Sequence, residues 1–287
     1  MLTKINNHPI NRTIKTNTAR WLAFCRIFVF ATSLVIATPA PTASNATVLP
    51  SSDMQLKYRV YAFGLPTWLD ASVDVSFADQ KITMISTLKS WLMGNFHETS
   101  FLWTDCQYQP SGYTNSGFSP GWAFDDALQY DWDNGVARYQ GYLQRPQQER
   151  AYQELEHVLD QAQHRGFYVD KLSQFFVMGC YFDRLDTAES DEPLRLNYLD
   201  DTLGRYRVQI RKRGKKIKVA GKPYSTIEVQ SEPYEATPGS IHRRVNYWLA
   251  PDLGYLPVLI KTKIGSMPLK VRLTNLGEAA SRETSSR

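Results

Sequence analysis

From Met54 onward, apolar and polar residues alternate one for one through segment after segment, a period of two that fits strands and not helices. Leu56, Tyr58 and Val60 alternate with Lys57 and Arg59, and Ala71, Val73, Val75 and Phe77 alternate with Ser72, Asp74 and Ser76. Each set reads as a half-buried antiparallel strand, greasy toward a core and polar toward water. Lys81 to Leu88 and Phe96 to Trp103 continue the pattern, with Thr99, Phe101 and Trp103 on one side. Leu128, Tyr130 and Trp132 then alternate with Gln129, Asp131 and Asp133 up to Asn134-Gly135, the turn signature of a tight hairpin, and Val136 to Leu143 returns. A meander is the simplest wiring.

Three stretches interrupt this rhythm. Tyr108 to Trp122 is rich in Gly, Pro, Ser and Asn, which predicts a long loop. Gln147 to Gln163 follows Pro146 and carries Tyr152, Leu155, Val158, Leu159 and Ala162 at helical spacing before Gly166, which predicts a helix. A second, shorter helix is expected with Asp170 as its cap and Leu172, Phe175 and Phe176 turned inward. Helices between two runs of strands suggest a plug laid against a curved sheet.

Beyond an acidic loop from Asp183 to Glu192, strands resume with Tyr206, Val208 and Ile210 facing in. The run Arg211 to Lys216 is expected to form the tip of a basic hairpin, with Ile217 and Val219 starting the return. Tyr224 to Val229, Val245 to Leu249, Leu256 to Ile264 and Leu269 to Leu273 complete the strands. The fold class is therefore mainly β: a curved antiparallel sheet or half-open barrel with one or two helices on its concave side. Residues 47–276 are read as a single β domain and 277–287 as a disordered tail.

The first 46 residues have a different character. Lys4, Arg12, Lys15, Arg20 and Arg26 occur there with no acidic residue, and without those five the 33 Lys+Arg of the chain fall to 28, matching its 28 Asp+Glu. A basic start, the apolar run Ile27 to Ala37 and small Ser44 and Ala46 have the order of a secretory leader, so residues 1–46 are expected to be a signal peptide and the protein periplasmic. A charge-balanced remainder has no global field to attract phosphates, which argues against nucleic acid. In an oxidising compartment Cys106 and Cys180 are candidates to pair, the alternative being two buried free thiols.

Catalytic signals are weak. Gly117-Phe118-Ser119-Pro120-Gly121 matches G-x-S-x-G, yet Pro120 has no N–H to give an oxyanion, and the flanks lack the strand and helix that motif requires. His157 and His164 sit too far apart on the expected helix to share an ion, and His97 and His242 lack a ligand at metal spacing. With neither H-E-x-x-H nor paired C-x-x-C, no metal or other cofactor is expected. Asp125, Asp126, Asp131, Asp133 and Glu98 offer the carboxylates of a glycan hydrolase, although Asp131 and Asp133 beside Asn134-Gly135 serve a turn equally well. The basic hairpin from Arg205 to Lys218 suits anionic head groups or simply protects a strand edge.

The segment Arg243 to Pro257, containing Trp248, Leu249, Pro251, Asp252, Leu256 and Pro257, resembles the closing signature of DUF3108, a family of exported bacterial proteins. Asp131-Trp132 before the hairpin and Asp170, Leu172 and Ser173 at the start of the short helix add to the resemblance. It implies no established activity. By analogy of layout, it suggests the periplasmic lipoprotein carriers of the LolA and LolB kind, in which a curved sheet closes on helices around an apolar hollow. The expectation is a non-catalytic binder or carrier of a lipid-like or amphiphilic molecule, with peripheral membrane contact, and with Trp103, Tyr130, Trp132, Tyr152 and Phe175 lining the hollow. An envelope protein–protein interaction module and the glycan hydrolase are the alternatives.

Overall fold

A computed structural model describes residues 53–144, 151–159, 166–185, 193–234 and 244–278. All lie in one compact unit, Asn45–Arg287. The expected leader, the acidic residues 186–192, His164 and His242 fall outside the described residues.

One sheet of fifteen strands dominates. In chain order they are β1 (Met54–Ala62), β2 (Leu65–Ala78), β3 (Lys81–Lys89), β4 (Gly94–Thr104), β5 (Gln107–Ser119), β6 (Trp122–Asp131), β7 (Val136–Gln144) and β8 (Ala151–Val158). Then come β9 (Phe167–Val169), α1 (Gln174–Leu185), β10 (Leu194–Leu199), β11 (Leu203–Val219), β12 (Lys222–Pro233), β13 (Val245–Ala250), β14 (Leu256–Ile264) and β15 (Met267–Glu278). Hairpin follows hairpin, as the alternation requires. The first and last strands pair antiparallel in the middle of the sheet, from Met54 opposite Glu278 to Ala62 opposite Leu269, so the two sheet edges, β8 and β9, come from mid-chain. β9 runs parallel to β10 and every other pair is antiparallel.

Four local expectations are corrected. The segment expected as a helix is strand β8 where described, because the outer edge of β7 presents a row of backbone N–H and C=O groups that a helix would leave unpaired. Its side chains suit that edge: Tyr152 lies opposite Tyr142, Leu155 opposite Tyr139, and Glu156 accepts from Arg138 Nε at 3.1 Å. The Gly- and Pro-rich stretch expected as a loop is β5, paired with β4 along its length and with β6 from Gly112 to Ser119, and this pairing outweighs weak strand propensity. Gly112 shows how: at φ 149° it brings the backbone so close to the Leu128 carbonyl that a Cβ would collide. The basic run 211–216 is no hairpin tip either. Two bulges, between Ile210 and Lys212 and between Arg213 and Lys215, carry β11 through it to a turn at Ala220-Gly221. Finally, β15 extends through Glu278, so residues 277 and 278 belong to a strand rather than a disordered tail; residues 279–287 lie outside the described set.

α1 is the single α-helix among the described residues, and it is the shorter of the two expected. Phe175, Phe176, Val177, Met178 and Phe182 are all buried in the main core with Leu56, Phe101, Leu196, Leu256 and Leu273 from the surrounding strands. Full burial of such side chains contributes roughly 1.5–3 kcal/mol each. The sheet therefore encloses the helix, and the helix supplies the interior the sheet cannot fill. A smaller cluster of Leu128, Ala137, Tyr168 and Leu199 bridges β6–β7 to β9–β10, so the two sheet edges are joined through side chains rather than by a backbone ladder.

The corner after β13 is built as its sequence suggested. Pro251–Leu253 forms a 3-10 turn, Gly254 and Tyr255 take left-handed φ values of 62° and 63°, and Pro257 lies at a register shift in β14. Trp248 packs there with Lys215 Nζ and Lys261 Nζ each 5.0 Å from its ring centroid.

Candidate functional site

The first turn of α1 faces an apolar hollow of about 270 Å³, just under the roughly 300–1,000 Å³ of small-molecule sites. Leu56, Val73, Met84, Phe175, Leu256 and Val271 make its walls. Alternation explains the lining: Leu56 and Tyr58 on β1 and Ala71 and Val73 on β2 are same-face positions of strands whose other face is wet. Ser72, Ser86, Lys171 and Gln174 are the polar groups at this hollow, and Tyr58 is held by donating its hydroxyl to the Pro257 carbonyl at 3.0 Å.

Behind the hollow lies a buried polar cluster that anchors the helix. Asp170 accepts from the backbone N–H of Leu172 at 2.8 Å and of Ser173 at 3.3 Å, the geometry of a helix N-cap. It also accepts from Thr99 Oγ1 at 2.8 Å and from Ser173 Oγ at 2.5 Å. His97 Nε2 stands 3.2 Å from Asp170 Oδ1, and since a carboxylate only accepts, that nitrogen carries the proton. Burial alone would raise the Asp170 carboxyl, but the hydrogen bond and charge of His97, with the bonds from Ser173 and the Leu172 N–H, hold it below its ordinary value.

His, Asp and Ser within one cluster invite comparison with a nucleophilic triad, and the geometry rejects it. Ser173 Oγ donates to Asp170 and accepts from Tyr108 OH at 2.8 Å, so the histidine does not stand between serine and carboxylate. Ser173 is also fully buried. The cluster is a cap and clamp.

The carboxylates considered for glycan hydrolysis are dispersed. Asp125 and Asp126 are neighbours on β6 and so point to opposite faces. Asp126 accepts from Asn115 Nδ2 at 2.9 Å, and burial raises its carboxyl above the usual range despite that bond. Asp131 accepts from Asn134 Nδ2 at 2.8 Å, from the Arg138 guanidinium and from the Asn134 N–H, which lower it and dedicate it to the turn. Ser119 of the G-x-S-x-G match ends strand β5 and is followed by a turn, not a helix. Among the described residues no three His, Cys, Asp or Glu side chains gather as a metal site.

Of the five aromatic residues expected to line a hollow, the structure brings Phe175 to this one, edge-on to Tyr247 at 5.4 Å. Trp103 packs on Phe176 in the core. Tyr130 and Trp132 stack at 5.4 Å against Tyr168, with Trp132 Nε1 donating to the Pro110 carbonyl. Tyr152 stands exposed on β8. His157, also on β8, donates through Nε2 to the Asp200 carbonyl at 3.0 Å. Cys106 and Cys180 form a disulfide with Cα atoms 5.7 Å apart, tying the β4–β5 turn to α1. His97 was missed as a site residue, although it shares the inward face of β4 with Thr99 and Phe101 at i, i+2 and i+4.

Fold and hollow together define a barrel-like β protein that wraps one helix around a small apolar cavity. A family model for proteins of unknown function, DUF3108, matches residues 57–274, and the chain belongs to that family. The fold is similar to that in the crystal structure of a beta-barrel-like protein of the domain of unknown function DUF1849 from Brucella abortus, with a TM-score of 0.50 at 10% identity, covering 80% of this chain and 98% of that one. No curated protein matches the sequence. No helix among the described residues is long and apolar enough to cross a membrane.

Proposed function

We propose that this protein is a non-catalytic binder of an apolar or amphiphilic molecule, held between the first turn of α1 and strands β1, β2 and β14. One observation carries the reading: the hollow has hydrocarbon walls and a few polar groups, Lys171 and Gln174 among them, a pattern suited to an acyl chain with a polar head. Export to the periplasm is part of the proposal, supported by the leader-like first 46 residues and by the disulfide, which persists in oxidising compartments.

The test is displacement of a fluorescent fatty acid from the purified protein lacking residues 1–46, together with mass spectrometry of its organic extract. Saturable binding is expected, weakened about tenfold or more by Val73→Phe, which fills the hollow. Lys171→Gln is expected to weaken anionic amphiphiles and spare neutral ones. Absence of bound or exchangeable amphiphile in a folded wild-type sample overturns the reading, and recovery of the protein from the cytosol with free thiols overturns the assignment to the periplasm.

A further inference from the structure

Because successive strands form antiparallel hairpins, the turns β5–β6, β3–β4, β1–β2 and β14–β15 line up along one margin of eight adjacent strands. That margin is greasy where turns are ordinarily polar. Trp68 is 84% exposed, Trp91 77%, Leu65 71% and Phe63 66%, with Phe118 and Trp122 following at the next turn. A single exposed apolar side chain is unremarkable, but a row of them on consecutive turn tips marks a contact surface. An open groove of about 420 Å³ among Leu88, Phe96, Phe118, Phe124 and Tyr142, with Lys89 and Asp125 also in its lining, extends from the tips.

Charge separates the two margins of the same strands. Residues 61–70, 88–96, 117–124 and 262–270, which form the apolar margin, include Lys89, Lys263 and Lys270 and a single carboxylate, Asp70, which lies opposite Lys89. On the opposite margin each turn carries an aspartate: Asp79, Asp105, Asp131 with Asp133, and Asp252. We infer that the apolar margin docks on a lipid bilayer bearing anionic head groups, the Trp and Phe tips entering the interface, the lysines meeting the phosphates and the acidic margin turned to water. Amphipathic aromatic rings favour the interfacial depth, and each lysine near an anionic surface adds attraction. Two copies docking margin to margin would instead oppose lysine with lysine, and an acidic protein partner would leave the tryptophan row without its hydrocarbon.

The experiment uses the protein lacking residues 1–46 with vesicles of phosphatidylethanolamine and phosphatidylglycerol, and with vesicles of phosphatidylcholine alone. Co-sedimentation with the anionic vesicles, a blue shift of tryptophan emission and quenching by lipids brominated along the acyl chain are expected. The W68S/W91S double variant should bind about tenfold or more weakly at an unchanged melting midpoint, because both side chains lie outside the core. K89S/K263S should lose the preference for anionic vesicles. Failure to sediment with either vesicle, quenching of the wild type unaltered by brominated lipid, or a dimer abolished by W68S/W91S would each overturn the inference.

Discussion

Tyr255 holds α1 in two ways: its ring lies against Gly179, and its hydroxyl donates to Asp183 Oδ1 at 2.6 Å. The contact at Gly179 is so close that an added Cβ would meet three Tyr255 ring and Cβ atoms at 2.8 to 2.9 Å, and Tyr255 itself is committed by its left-handed backbone at the β13–β14 corner. Gly179→Ala is therefore expected to destabilise the protein by about 1–3 kcal/mol through overpacking. Tyr255→Phe, which keeps the ring and loses the hydroxyl, should cost about 1 kcal/mol. Urea unfolding followed by tryptophan fluorescence separates the two.

Removing the Asp170 carboxylate leaves the Leu172 and Ser173 N–H groups, Thr99 and His97 without their shared acceptor in a buried site. Asp170→Ala is expected to cost about 3 kcal/mol or more, because several buried donors lose one acceptor and each unsatisfied group costs about 1–3 kcal/mol. Thr99→Ala, which removes one of these donors, should cost about 1.5–3 kcal/mol. A melting-temperature series over these two variants tests the order.

The same carboxyl sets an acid limit. Its folded value lies below its ordinary one, so the stabilisation is fully present above the unfolded pKa of about 3.9 and is lost as pH falls through the lower folded value. Wild-type stability should drop more steeply below about pH 4 than that of Asp170→Asn. Equilibrium unfolding across the acid range reads this directly, and coincident curves would show that the cluster does not govern the transition.

Reduction of Cys106–Cys180 releases a loop with a sequence separation of 74 residues. In the chain-entropy account that removes about 4 kcal/mol of stability. A C106S/C180S variant should unfold at correspondingly lower urea and should match the wild type measured in reductant.

Much of this architecture is readable from period-two patterning, because a strand with one wet face must alternate. Leu56, Tyr58 and Val60 are buried as their spacing requires, and Asn134-Gly135 makes its hairpin. The misreadings share one physical origin. In β5 and β8 local composition favours loop and helix, and what overrides it is backbone pairing with strands that no short window contains. β11 fails differently, since bulges let a strand pass through Gly214 and five exposed basic residues without turning. The polar cluster joins residues far apart in sequence, His97 and Asp170 among them. Asp170 is legible as a cap, whereas His97 is read only as a histidine without a metal-spaced partner, and their meeting is a product of topology.

The pairing of β1 with β15 governs when this protein can become itself. Leu56 sits opposite Leu276 on β15, while Tyr58 and Val60 lie opposite Leu273 and Val271 of that same strand. Until the chain's final strand is available, β1 keeps one open flank and the interior one missing wall. Contacts of such long range form slowly, so the closing of this seam is expected late in folding. A sheet whose middle is closed by β1 and β15 therefore completes its interior only after β15 has joined.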